Sequence, residues 1–329
     1  MIFFQSVYIK SLAHALPDRV VSNDELIQNY SLKMKSSWVE TRLGIRERRW
    51  LSSDQTTSDL AAQAIQKLKT SECPIYLSTI SPDYLTPSTA SETKRKLQWK
   101  NSSPATDLSA ACAGFIFALE MGSLYVSHQT QGDAIVAAAE ARSRFLDFQD
   151  RRTVFLFADA ACAAQLQKGS HGSLAQVCWT SCSTEALFEP EILVPAGGSK
   201  KPINEEVLQN KDHKIRMVDG VTISETIEKN LVLKVEQCLK AAGENISDYG
   251  FFVFHQGNGQ IIQRILQQLG AEESRTHITF NHLGNSSSAS LGVTLSEASE
   301  LGKIKSKDKV LLVAMGAGYH LGIASLIWS

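Results

Sequence analysis

Residues 110–128 read AACAGFIFALEMGSLYVSH, a run of helical length with apolar side chains on every face. A surface helix confines its apolar residues to one stripe, so this pattern specifies a helix buried on all sides. The segments around it alternate strand and helix. PIYLSTI (74–80), GDAIVAAAEA (132–141) and TVFLFADAACAAQLQ (153–167) read as buried strands, and DLAAQAIQKL (59–68) as an amphipathic helix. The opening SVYIKSLAHA is a strand that turns at Pro17-Asp18, and Ser22 and Glu25 have capping-box spacing for the next helix. A loop with Pro82 and Pro87 precedes a helix at ASETKRKLQ (90–98).

The second half repeats the rhythm. SETIEKNLVLKVEQCLKAAG is a long helix, YGFFVF a strand ending at His255, GQIIQRILQQLG a helix, THITF a strand and SASLGVTLSEASEL a helix. KVLLVAMGAGYHLGIASLIW gives two final strands around a glycine turn. Residues 168–215 are polar and weakly periodic and read as the crossover. In each half a strand leads through a loop to small residues that open a buried helix; Cys112 stands at the first junction and Asn285 at the second. This predicts an α/β protein of two similar halves, 1–168 and 169–329, with sheets covered by helices. A chain of 329 residues is long enough for two packed halves.

A formal net charge of −1 without long single-sign runs argues against nucleic acid or an anionic membrane as partner. The N-terminus lacks the basic and apolar regions of a signal peptide, and no apolar run reaches membrane-span length. Six scattered cysteines then read as reduced thiols of a cytoplasmic protein. Cys178 and Cys182 form C-x3-C, but no second Cys or His pair at short spacing completes a metal site, and none is expected.

Cys112 lies where a strand gives way to a helix. The helix dipole would lower its pKa, and Ala110, Ala111, Ala113 and Gly114 would let a substrate reach the sulfur. The same stretch also fits a core cysteine in a tight helix start. His255 is delivered by a strand to a loop before a helix, a usual place for functional side chains; it equally fits a satisfied core histidine. Asn285, among Gly and Ser, fits either an N-cap or a neutral donor aimed into a pocket. Gly316 and Gly318 have the wrong spacing and the wrong following element for a dinucleotide fingerprint; they leave a tight turn whose N–H groups can serve an oxyanion. The combination of Cys, His, Asn and glycine turn points to nucleophilic chemistry more strongly than any member.

Seven motifs in order then carry a resemblance: LPDRVVSNDEL, SWVETRLGIRERR, DLSAACAGFIFAL, DRRTVFLFADAACAAQL, FHQGNGQII, HLGNSSSASLGVTL and LLVAMGAGYHLG. Through them the chain resembles the β-ketoacyl-acyl carrier protein synthase III family of thiolase-fold condensing enzymes. The resemblance implies a five-layer αβαβα fold and a homodimer. It implies Cys112 as acyl-accepting nucleophile, His255 and Asn285 as the pair that binds the acceptor carbonyl, and N–H groups of Cys112 and Ala317 as the oxyanion hole. Trp38, Arg42, Arg151 and Asn258 correspond to positions around coenzyme A; without the motif, the arginine cluster 42–49 reads as a solvated loop. It implies no cofactor, an acyl-CoA donor and a malonyl-carrier protein or malonyl-CoA acceptor.

Three departures qualify these expectations. The family's glycine-rich FGDGAGA is FADAACA at 157–163, and the added Cβ atoms restrict the backbone there. The helix after His255 reads Gln260, Gln267 and Gln268 with only Arg264 remaining, which weakens steering of an acidic carrier. Thr86 corresponds to a family position that crosses the dimer interface to the partner's acyl pocket, and its small size predicts room for a chain longer than acetyl. Acyl transfer from Cys112 to an oxygen or nitrogen nucleophile is the second reading; a non-catalytic subunit of a heteromeric synthase is the third.

Overall fold

The computed structural model describes the chain except for Gln131, residues 186–191 and Asp219; the side chains of 220–227 also lie outside the description. Ten strands form the main sheet. They are β1 (Ile2–Phe3), β2 (Val7–Ala15), β3 (Ile75–Ser78), β4 (Ala105–Leu108), β5 (Asp133–Ala141), β6 (Asp159–Lys168), β7 (Ala175–Thr184), β8 (Phe251–Phe254), β9 (Lys309–Gly316) and β10 (His320–Trp328). Their order is β8-β9-β10-β7-β2-β6-β5-β3-β4, with β1 on β7. Among the described residues two strand pairs, Tyr8 with Gln176 and Ile9 with Ala175, join the two five-strand groups.

The principal helices are α1 (Thr57–Lys67), α2 (Gly114–His128), α3 (Gly220–Ala242), α4 (Gly259–Gln268) and α5 (Ala289–Glu300). Side chains alternate across each strand, and both faces are apolar. Ile135 and Ala137 of β5 pack with Leu60 and Ile65 of α1, while Val136 and Ala138 join Ile116 of α2 and Leu291 of α5. Leu312 and Ala314 of β9 join that same central cluster, while Leu311 and Val313 pack with Val235 and Ile265 of α3 and α4. The layers are therefore helix, sheet, helix, sheet, helix, with α2 and α5 between the sheets. This is why residues 110–128 are apolar all round: α2 meets a sheet on either side.

Three sequence expectations change. The supposed crossover contains β7, ten residues of the main sheet (residues 186–191 of that segment lie outside the description). Its Ser, Thr and Cys side chains mask the period-2 burial of Ala175, Val177 and Trp179. THITF is not a strand: Thr276 makes one bridge to Phe252. The N–H groups of Thr279 and Phe280 then donate to Gln256 Oε1, which turns the chain into a short helix, Phe280–Leu283. Residues 153–156 are turns, Phe157 makes a single bridge to Asn285, and the strand begins at Asp159. Ser22 does cap its helix, accepting from the Glu25 N–H at 3.1 Å, but the Glu25 carboxylate takes Arg19 instead of closing the box.

The FADAACA segment packs against glycines of facing segments. A Cβ on Gly292 of α5 would lie 2.2 Å from the Cys162 sulfur, and one on Gly284 would lie 3.0 Å from the Ala158 Cβ. Bulk added on β6 is matched by its absence on the facing segments. Cys178 and Cys182 share β7, where four residues span about 13 Å, too far to hold one metal ion.

Candidate active site

β4 ends at Leu108, and a single 3₁₀ turn, Ala111–Ala113, carries Cys112 to the start of α2. Ala111 has φ +45°, in the left-handed region that non-glycine residues seldom occupy. Close packing fixes the turn: a Cβ on Gly114 would fall 1.8 Å from Ser78 Oγ. The Cys112 sulfur lies 3.6 Å from Ser287 Oγ and faces a cavity of about 1520 Å³.

The expected lowering of the Cys112 pKa is not what this environment produces. Burial pushes the thiol up to about 11, only partly offset by the Ser287 hydroxyl. At this turn desolvation of the sulfur disfavours the thiolate more than the Ser287 hydroxyl favours it.

His255 follows β8, and its N–H continues the ladder to Val313 O at 2.9 Å. Its Nδ1 lies 2.7 Å from Ser290 Oγ. That hydroxyl accepts from the Gln256 N–H at 3.1 Å and has its own hydrogen to donate to Nδ1. With Nδ1 accepting, the ring proton sits on Nε2. Burial lowers the His255 pKa to about 4, so the imidazole is neutral at physiological pH.

Asn285 is not a helix cap; Ser288 occupies the cap position of α5. The Asn285 backbone bridges to the 156–158 segment, donating to Leu156 O and accepting from the Ala158 N–H. Its Oδ1 accepts from the Ser287 N–H at 2.8 Å, which leaves Nδ2 as the outward donor. A Cβ on Gly257 would sit 3.1 Å from His255 Nε2 and 4.0 Å from Asn285 Nδ2. Two neutral donors thus flank the space that this glycine leaves open. Across the site, a Cβ on Gly316 would lie 2.7 Å from the Cys112 amide nitrogen. Glycine there lets the β9 end approach the Cys112 backbone, and Ala317 lines the cavity next to it.

Trp38, Arg42, Arg151 and Asn258 also line the cavity. Trp38 is half exposed, with the Arg42 guanidinium 6.0 Å from its ring centroid. Asn258 spends its Oδ1 on capping α4, accepting from the Gln260 N–H at 2.9 Å. Lys33 and Lys35 join this basic group and were missed in the sequence, although two lysines flanking Met34 just before Trp38 were a readable signal. Thr86 lies outside the cavity of its own chain, on an exposed loop. On α4, Arg264 is not a free cation: its guanidinium pairs with Glu228, Nε to Oε1 at 2.8 Å. Among the described residues no group of three or more His, Cys, Asp or Glu is arranged to hold a metal, and no helix is long and apolar enough to cross a membrane.

Comparison with known proteins shows which family this chain is similar to. Residues 106–184 match the 3-oxoacyl-[acyl-carrier-protein] synthase III family, and residues 239–328 match its C-terminal region. The β-ketoacyl-[acyl-carrier-protein] synthase III of Syntrophomonas wolfei is 36% identical over 98% of this chain and 97% of its own. That of Fusobacterium nucleatum is 33% identical over 99% of each. The crystal structure of the synthase III from Aquifex aeolicus superposes with a TM-score of 0.85, at 28% identity, over 98% of this chain and all of its own.

Proposed function

This chain belongs to the 3-oxoacyl-[acyl-carrier-protein] synthase III family and is an acyl-transferring condensing enzyme of thiolase-like fold, and we propose that it joins an acyl group from acyl-CoA to a malonyl thioester through Cys112. One observation carries the assignment of roles: the Cys112 sulfur, a neutral His255 and the outward Asn285 amide line one cavity.

Cys112 attacks the thioester carbonyl as its proton passes to the departing coenzyme A sulfur, giving an acyl-enzyme. The N–H groups of Cys112 and Ala317 hold the tetrahedral oxyanion. The malonyl thioester then places its carbonyl oxygen between His255 Nε2 and Asn285 Nδ2. Its C–C bond to the carboxylate breaks, CO₂ leaves, and the electron pair becomes an enolate held by those two donors. The enolate carbon attacks the acyl carbonyl and expels the Cys112 sulfur. Neutral donors suit this step because negative charge on that oxygen develops only during reaction. Lys33, Lys35, Arg42 and Arg151 supply positive charge for the nucleotide phosphates at the mouth, and Trp38 an aromatic face.

The acceptor reads as malonyl-CoA or a weakly acidic carrier. With Gln260, Gln267 and Gln268 on α4 and Arg264 paired to Glu228, that face offers little to an acidic protein. The test is intact-protein mass of Cys112 after incubation with acyl-CoAs, followed by malonyl-CoA or malonyl-carrier protein while CO₂ is measured. Asn285→Ala is expected to cut CO₂ release about 100-fold and leave acylation near normal. Acylation without CO₂ from either malonyl donor overturns condensation in favour of simple acyl transfer.

A further inference from the structure

Arg142 is placed where an apolar residue would be the simple choice. It follows the end of β5, is 4% exposed, and lines the cavity beside Cys112, Ile80 and Phe157. Its guanidinium packs over the Phe145 and Phe157 rings, at 5.5 and 5.7 Å. Of its five N–H donors one has a partner among the described residues: Nη1 donates to Ile80 O at 3.2 Å. Its Nε is buried and has no partner among the described residues. Nor does Arg142 form an ion pair within 4 Å among them. Glu140, two residues back, is the buried charge that most offsets this cation, but its oxygens bond the hydroxyls of Ser81 and Ser288, at 2.5 Å each, and come no closer than 4 Å to the guanidinium. Arg48, equally buried, also leaves its Nε without a partner among the described residues, but its two terminal nitrogens donate to Val21 O, Asn23 Oδ1 and Phe155 O, three bonds against one for Arg142.

A buried guanidinium left with one hydrogen bond is costly unless something arrives to pair with it. We propose that Arg142 selects the donor: the acyl group loaded on Cys112 carries a carboxylate at its far end, and Arg142 binds that carboxylate. The donor class is thus the coenzyme A monothioester of a short dicarboxylic acid. This rests on the acyl-enzyme reading above. The transfer is thioester exchange: the bond from carbonyl carbon to coenzyme A sulfur breaks, the bond to Cys112 forms, the thiol proton goes to coenzyme A, and the distal carboxylate is unchanged.

The malonyl carboxylate is the other anion that enters this site, but it is a poor fit. It must leave as neutral CO₂, and a cation bound to it would stabilise the ground state and slow its loss. Arg142 and Cys112 also come from the N-terminal strand group, whereas His255, which serves the acceptor, comes from β8.

The experiment compares Cys112 acylation by glutaryl-CoA and by the similarly long, neutral hexanoyl-CoA, read by intact mass against time. Wild type is expected to prefer glutaryl-CoA by about 10-fold or more, the scale of a charge-assisted pair. Arg142→Leu is expected to reverse the preference, and Arg142→Lys to restore part of it. A purely packing role for Arg142 would change both rates alike. Preference of the wild type for hexanoyl-CoA overturns the proposal without any variant having to fold. Labelling by neither thioester, nor by acetyl-CoA, overturns the acyl-enzyme reading itself.

Discussion

The Cys112 sulfur lies 3.6 Å from the hydroxyl of Ser287, and the backbone N–H of that same serine holds the Asn285 amide oxygen. Ser287 has φ +50°, so it stands in a constrained conformation between nucleophile and donor. Its hydroxyl favours the thiolate against a burial effect that disfavours it. Ser287→Ala is expected to slow iodoacetamide alkylation of Cys112 at fixed pH about 3- to 10-fold, the scale of one hydrogen bond. An unchanged or faster rate would show that the hydroxyl does not act on the sulfur.

Gly316→Ala puts a methyl group 2.7 Å from the Cys112 nitrogen and 2.9 Å from Ala110 O, both backbone atoms that cannot swing aside. The turn must shift, and with it the amide assigned to the oxyanion. We expect acylation to fall about 100-fold, with a loss of about 1–3 kcal/mol in stability from overpacking. Stopped-flow acylation and thermal melts check both; normal acylation would remove the Cys112 N–H from the oxyanion hole.

His255 is neutral above about pH 5, because burial lowers its pKa to about 4. The rate of CO₂ release is therefore expected to show no inflection near pH 6.5, where an ordinary histidine titrates. A rate that halves between about pH 7 and 6, with the limb absent when the acyl-enzyme is assayed in His255→Asn, would contradict a neutral donor.

Glu297 gives an acid-side prediction for stability. Hydrogen bonds from His277 and then His282 hold its carboxyl well below the usual range. The folded carboxylate stays ionised where the unfolded one takes a proton, so its contribution is complete above about pH 4.5 and fades as pH falls. Glu297→Gln is expected to lower Tm at neutral pH and to narrow its gap from wild type near pH 4. A constant gap in melts across that range would assign the Tm loss to something other than this titration.

Much of the site was legible because its residues sit at junctions the sequence marks. Cys112 follows a strand and opens an all-apolar helix, and His255 ends the run FFVF. The supporting groups left weaker marks. Ser287 and Ser290 are two serines in a serine-rich stretch, and only folding brings one to Cys112 and the other to His255 Nδ1. Arg142 follows an alanine-rich strand and reads locally as a solvated end. The strand β7 was hidden because its buried alternation is built partly from Ala, with Ser, Thr and Cys between.

The sequence by itself determined the layered α/β class and the buried central helix, and through the motifs of its family resemblance it nominated the three residues assigned to the chemistry. These depend on local pattern: apolar periodicity and short motifs at strand ends. The tertiary structure decided the protonation states and the contents of the cavity. Whether Cys112 rests as a thiol, whether His255 is neutral and whether Arg142 has a partner all depend on how much water and which charges surround each group. Those neighbours come from other segments, 175 residues away for Cys112 and Ser287, 62 for Arg142 and Ile80 and 35 for His255 and Ser290, and no local stretch encodes them.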